Sequence, residues 1–379
     1  MRIAYLLNRY APGGLERCVA HLVNGLDSAK FVPSVISFRM LTEVPDWIDR
    51  DDVTISSLQK KRGNDIALIY RLVRMFRRDK IDLAQSHNWA TLVETSLACR
   101  IAGVVHVHAE HSQQERFSNS SRGSRRWLHG VARRAAFKRC AAVVACAHSV
   151  RQGIESEWGF PASRVTCIAN GVGRPSQAGL LDLRKDLGIP STAFVVGSVG
   201  RLFALKGFDV LIHAAKRLVQ EGIDVHVVLI GDGPEESRIR QLTDELAMQN
   251  NVHLTGYRKE IGDWLSVMNI YANASHTEAM SMSILEAMSM GLPVVATDVG
   301  DSRVLLESDE VCGTVVPAGD PTAMASALKQ YILDPLLQQQ HGEIATRKYS
   351  ERYTLDTMVS NYQSLYMRVR ANADCRAVT

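Results

Sequence analysis

The chain has 379 residues, 46% apolar and 22% charged, with a net charge of +4. That length suits two domains of ordinary size, and the balance of residues excludes disordered, fibrous and disulfide-scaffold classes. No run of about 18 apolar residues is present to cross a bilayer, and MRIAYLLNRYAPGG is interrupted too soon for a signal peptide, so a cytoplasmic protein is expected.

Read in chain order, residues 2–8 form an apolar strand that runs into PGG. A helix follows, with Leu15, Cys18, Val19, Leu22, Val23 and Leu26 at helical spacing. Apolar runs at 104–107, 142–146 and 165–168 read as further strands, and Asn170-Gly171 as a turn. GRPSQAG, residues 173–179, is the expected linker. The pattern then restarts with a strand at 194–199, the loop GRLFALKG and a helix for which Asp209 is the expected N-cap. Strands are expected at 225–230, 252–254, 270–274, 293–297 and 314–316, and a last amphipathic helix at 354–370. Alternating strand and helix implies parallel sheets. The expected architecture is therefore α/β: two Rossmann-like, doubly wound domains facing a central cleft, at 1–175 and 176–353, with a C-terminal helix, 354–379, returning to the first.

The charge is unevenly spread. Residues 1–178 carry 26 Lys/Arg against 15 Asp/Glu, and the remainder 18 against 25, so the two parts stand at +11 and −7. Arg71, Arg74, Arg77 and Arg78 fall near one helical face, and Arg122, Arg125, Arg126, Arg133, Arg134, Lys138 and Arg139 form a second cluster around Trp127 and Leu128. A solvated face, nucleic-acid binding and docking on anionic lipid compete; no nucleic-acid motif accompanies the charges. The seven cysteines are scattered without CxxC spacing, which reads as reduced thiols and disfavours zinc.

Ligands of such sheets gather where strands end and helices begin. Gly13-Gly14 separates the first strand from its helix and lets backbone amides approach a phosphate; a plain tight turn is the bland alternative. Arg201 and Lys206 follow a buried strand and suit a diphosphate. In EAMSMSILE, Glu278 and Glu286 stand eight positions apart. Eight helical residues span about 12 Å, too far for the ~5 Å carboxyl separation of a retaining glycosidase, but suited to two ends of one elongated ligand. Between them the amides of Met280, Met282 and Ser283 approach a helix N-terminus. No acid pair at a strand end suggests a metal; Asp49, Asp51 and Asp52 read as a surface cluster.

SHTEAMSMSILEAMSMGLPVVATDVG resembles the E-x7-E signature of the retaining family 4 glycosyltransferases of GT-B fold, and Gly13-Gly14, GRLFALKG, IGDGPE, LTGY and VPAGDP occur in that family's order. KRGNDIALIYRL, HNWATLVE and HAEHS further resemble bacterial sugar transferases linked to exopolysaccharide and exosortase clusters. The resemblance implies roles: Glu286 on the ribose of a nucleotide sugar, Glu278 on the donor sugar, Arg201, Lys206 and Gly14 on the diphosphate, and Tyr257 near the base through its backbone. It implies His111 near the transferred sugar, with His108 as rival. It also implies a metal-free, cofactor-free transfer to a hydroxyl acceptor, either a glycan or a lipid-linked sugar. With a transferase fold, the basic surface favours an anionic membrane over nucleic acid, which would make the protein peripheral on the inner face of the cytoplasmic membrane. Ala279, Asp301 and Gly173 depart from the family pattern, the first where donor identity is read. Epimerisation of the same donor and non-catalytic binding are the alternatives.

Overall fold

In the strand β1 (Arg2–Leu7) five of six residues are buried, the pattern of a strand covered by helices on both faces. The computed structural model describes all residues except 42, 43, 45, 62–64, 112–123, 178–181 and 379, and only the backbone of 66, 124–129 and 376–378. Two units emerge: Met1–Gly171 with Leu355–Thr379, and Val172–Thr354.

After β1 the first unit runs through α1 (Gly14–Gly25), β2 (Val32–Ser37), β3 (Thr54–Ser57), α2 (Ile66–Arg78), β4 (Leu83–His87) and α3 (Trp89–Ala102). It continues with β5 (Val105–Glu110), α4 (Ser124–Arg139), β6 (Ala142–Ala145), α5 (His148–Trp158) and β7 (Val165–Cys167). The seven strands are parallel in the order β3-β2-β1-β4-β5-β6-β7. Leu6, Ile36, Phe38, Leu72, Phe76 and Ala98 pack in the core on one face of this sheet.

The second unit comprises α6 (Leu183–Asp186), β8 (Phe194–Val199), α7 (Phe208–Gln220), β9 (Val225–Ile230), α8 (Glu236–Glu245), β10 (Val252–Leu254) and α9 (Ile261–Ser266). Next come β11 (Ile270–Asn273), α10 (Met282–Ser289), β12 (Val294–Thr297), α11 (Ser302–Glu307), β13 (Gly313–Val316), α12 (Pro321–Leu333) and α13 (Pro335–Arg352). Its six parallel strands are ordered β10-β9-β8-β11-β12-β13. α14 (Leu355–Val378) then returns to the first unit, where Met358, Val359, Tyr362, Leu365, Tyr366 and Val369 are buried.

Three strands lie outside the sequence expectation. β4 reads LAQSH, and its Gln85, Ser86 and His87 are all buried, so no apolar run marks it. β2 carries Pro33 and two serines, and β3 is four residues long. Asp209 is not the cap of α7: Gly207 occupies that position in the left-handed region, and Asp209 falls in the first turn. Among the described residues no helix is long and apolar enough to cross a membrane, and the seven cysteines are free thiols.

Candidate active site

In each sheet the strand order reverses at one point, and in such sheets the loops leaving the two strands on either side form a crevice. In the second unit that point lies between β8 and β11. The loop after β8 holds Arg201 and Lys206; the loop after β11 holds Glu278. The two loops are locked together. Gly207 has φ +61°, and a Cβ there would collide with the carbonyl of Ala274. The His276 amide donates to Leu205 O at 2.8 Å. Lys206 Nζ is ion-paired with Glu278 Oε1, which also accepts from Ser275 Oγ at 3.1 Å. Thr297 Oγ1, on β12, donates to Ser275 O at 2.6 Å and holds the loop from below. The Arg201 guanidinium lies 4.8 Å from the Phe203 ring centroid.

From Glu278 the chain reaches α10, whose N-cap Ser281 makes no side-chain bond to the helix amides. Ser281 Oγ is engaged instead with Ser283 Oγ at 3.1 Å and Asn273 Nδ2 at 3.2 Å. The first amides of α10, those of Met282 and Ser283, therefore keep their donor capacity at the positive end of the helix. Met280 is buried and Met282 half-buried, so their side chains serve packing. Glu286 lies within α10 and is 3% exposed, which sets it apart from a solvated helix acid. Gly300, at φ +57°, approaches the carbonyls of Glu278 and Ala279 too closely for a Cβ, and the Asp301 amide donates to Ala279 O at 2.9 Å. The loop after β9 presses on that after β8: the Gly233 position would put a Cβ 2.6 Å from Leu202 O. Gly231 N–H donates to Gly256 O at 2.9 Å, and Tyr257 next to it is exposed.

In the first unit the reversal lies between β1 and β4. Gly13 caps α1 in extended conformation, φ −173°, so neither strain nor a left-handed turn explains it. A Cβ there would run into the Glu16 carboxyl, whose pKa burial pushes up to about 7. Gly14 opens the helix with open space around it. His111 follows β5 directly; its amide donates to Asn88 Oδ1 at 2.8 Å and its ring stacks on His87, centroids 5.2 Å apart. Burial, with His108 beside it, lowers its pKa to about 3. His108 is fully buried within β5, between Ser86 Oγ at 2.8 Å and Glu110 Oε2 at 3.4 Å. It is spent on structure, whereas His111, past the end of the strand, is half-buried and remains the candidate.

Arg133 does not belong to the basic surface: it is 8% exposed, with its guanidinium 3.6 Å from the Trp89 ring centroid and 3.5 Å from that of Trp158. Arg122 and the side chains of Arg125, Arg126, Trp127 and Leu128 lie outside the described residues. Sequence reasoning missed Ser275, Thr297, Gly207 and Gly300, which fix the loops, and His87 and Asn88, which hold His111. Glycines in the loops after strands were the available signal for two of them, Gly207 and Gly300.

Two family models match in tandem: Glycosyltransferase Family 4 over residues 12–173 and Glycosyl transferases group 1 over residues 181–348. The chain is 28% identical to an alpha-D-kanosaminyltransferase of Streptomyces kanamyceticus over 72% of this chain and 73% of that one. It is 26% identical to the UDP-Gal:alpha-D-GlcNAc-diphosphoundecaprenol alpha-1,3-galactosyltransferase of Escherichia coli over 81% of each. Other relatives match over about half their length, such as an N-acetyl-alpha-D-glucosaminyl L-malate synthase of Bacillus anthracis, 26% identical over 49% of it. The crystal structure of HepE from Anabaena with UDP superposes with a TM-score of 0.81 at 23% identity, covering 97% of this chain and all of that one. With both family models matched in succession onto two Rossmann-like units, the chain belongs to the family 4 glycosyltransferases of GT-B fold.

Proposed function

We propose that the protein transfers a glycosyl group from a nucleotide diphosphate sugar to a hydroxyl acceptor, with retention at the anomeric carbon and without a metal. The observation that carries this reading is the meeting of Lys206 and Glu278 at the β8–β11 reversal, beside the start of α10. A cation, a carboxylate and uncapped helix amides are the groups that a sugar diphosphate engages. The diphosphate would displace Glu278 from Lys206 and take its place, and Glu278 would turn to the sugar hydroxyls. Glu286 would accept from the ribose, and the Tyr257 backbone would lie near the base. Arg201, Lys206 and the amides of Met280, Met282 and Ser283 supply fixed positive potential for the leaving group. On the first unit, the Gly14 amide is assigned to phosphate, with Gly13 giving the approach, and His111 to the transferred sugar. The anomeric carbon–phosphate oxygen bond breaks, the acceptor oxygen bonds to the same face, and the leaving phosphate takes the acceptor's proton.

Uridine diphosphate is the nucleotide to try first, because HepE is solved with UDP and with UDP-glucose, and the E. coli relative is named for UDP-Gal. Calorimetry with UDP in EDTA tests the site. The wild type is expected to bind; Lys206→Ala and Glu286→Ala are each expected to lose about 10-fold or more in affinity, since a charge-assisted bond contributes about 1.5–3 kcal/mol. Glu278→Ala is expected to keep UDP affinity and lose UDP release from UDP-glucose. Unchanged affinity in both of the first two variants would overturn the assignment.

The acceptor is proposed to be lipid-linked, at an anionic membrane surface in bacterial polysaccharide assembly. α3 packs against both α2 and α4. Their exposed residues mix Arg74, Arg77, Arg100, Arg134 and Lys138 with Tyr70, Leu97, Ile101 and Val131, a combination suited to anionic headgroups. Co-sedimentation with vesicles containing phosphatidylglycerol at low salt is expected, and its absence there would sink this part of the reading.

A further inference from the structure

The first unit contains a file of buried polar groups that ends on His111 and whose other members the proposed donor site does not use. Tyr5 donates its hydroxyl to Tyr366 Oη at 3.1 Å, and Tyr366, on α14, donates to Gln85 Oε1 at 2.6 Å. Gln85 is fully buried in β4, opposite Tyr5 of β1 and Val107 of β5. With its oxygen engaged, its amide nitrogen faces His87 Nε2 at 3.4 Å. His87 Nδ1 lies 3.1 Å from His111 Nε2.

The direction of the bonds through the two histidines follows from the Gln85 amide nitrogen. An amide nitrogen only donates, so His87 Nε2 accepts. Burial keeps His87 and His111 neutral, and a neutral imidazole that accepts at one nitrogen carries its proton on the other. His87 therefore donates from Nδ1 to His111 Nε2, and His111 in turn carries its proton on Nδ1. The backbone beneath is fixed as well. Asn88 accepts from the His111 amide while held at φ 56°, ψ 169°, a region costly for any residue but glycine.

We propose that Gln85, oriented by Tyr366, is a positioning residue that sets the tautomers of His87 and His111 in series, so that His111 meets the sugar with an Nδ1–H donor and not with a basic nitrogen. The inference rests on the placing of His111 near the transferred sugar. It gives that residue a definite chemistry: His111 donates a hydrogen bond to a sugar oxygen and takes no proton from the acceptor, a step left to the departing phosphate.

The test is a long-range ¹H–¹⁵N correlation spectrum of the full chain labelled with ¹⁵N-histidine, assigned with His87→Gln and His111→Gln. Both rings are expected as Nδ1–H tautomers. Gln85→Glu replaces the donor by an acceptor, so His87 is expected to gain an Nε2 proton and His111 to move to Nε2–H. UDP release from UDP-glucose is expected to fall about 10-fold or more in kcat, a size typical of lost outer-shell partners, with KM little changed. If Gln85→Glu does not fold, Tyr366→Phe leaves the amide free to turn over, and mixed tautomers at His87 are expected. An Nε2–H tautomer at His111 in the wild type would overturn the relay, as would unchanged tautomers in the variants. Tautomers that shift as stated with an unaltered rate would uphold the relay and overturn the place of His111 at the sugar.

Discussion

Gly207 shows how one residue ties two loops of the second unit. Its φ of +61° caps α7, and the Ala274 carbonyl occupies the space a side chain would need. Gly207→Ala meets both penalties, backbone strain and a collision with main chain that cannot yield like a flexible side chain. A loss of about 2–3 kcal/mol, read from urea midpoints, is the expected outcome. UDP affinity should fall with it, because Gly207 directly follows Lys206 in the β8 loop and the strain displaces that cation. Gly222, at φ +82° with nothing within 4 Å of its Cβ position, is the control: Gly222→Ala should meet the strain alone and leave UDP affinity intact. At this scale charge and spacing singled out Arg201, Lys206, Glu278 and Glu286 as candidates. The sequence was silent on the Lys206–Glu278 contact, since residues 72 positions apart meet only through the adjacency of β8 and β11. It was silent also on Asn88, whose unusual backbone no residue type announces.

Among the elements, predominantly apolar runs such as those of β8, β9 and β12 were legible as strands; β2, interrupted by Pro33 and two serines, was not legible. Nor was β4, because its neighbours demand polar groups: Gln85, Ser86 and His87 satisfy His106, His108, His111 and Tyr366. A strand built to carry a hydrogen-bond network has no hydrophobic signature. The same limit applies to α4, where Arg133 reads as surface charge in the sequence but is sandwiched between Trp89 of α3 and Trp158 of α5. Two desolvated cation–π contacts at about 2 kcal/mol apiece make this the joint of three helices. Arg133→Met should cost about 2–4 kcal/mol in chemical denaturation, while Arg134→Met, on the exposed side of the same helix, should change stability by less than about 0.5 kcal/mol. Raising salt should leave the first difference in place, since the buried cation is not screened as a surface one is.

For the molecule as a whole, the distribution of buried histidines sets its response to acid. His21 in the first unit is lowered to about 4, and His106, His108 and His111 to about 3, with His87 well below its ordinary value; burial is the largest cause for each. Below pH about 6.5 the unfolded chain binds protons at these sites and the folded chain does not, so folding stability falls as pH drops from about 6.5 towards 3. Each such group contributes a slope of up to about 1.4 kcal/mol per pH unit. Glu16 acts in the opposite sense: its raised pKa makes the fold favour the protonated carboxyl, and stability from this group is lost as pH rises from about 4.5 to 7. One carboxyl against five histidines does not reverse the trend. The second unit has three lowered histidines, His226, His253 and His341. Hydrogen exchange at pH 7 and pH 5 should therefore show protection lost first in the first unit, and His106→Gln should shallow that dependence.

The return of α14 also has a bearing on synthesis. The bridge between Val172 and Thr354 brings the two ends of the second unit side by side, and that unit is one unbroken stretch of chain. Everything it needs has left the ribosome once residue 354 has. The first unit, begun earlier, still lacks the hydroxyl of Tyr366 that bonds Tyr5, 361 positions back, and the methyl groups of Val359 that fill the space over Gly25. The unit translated first is thus the one completed last, and until α14 emerges its sheet waits with one face of β1 and α1 uncovered.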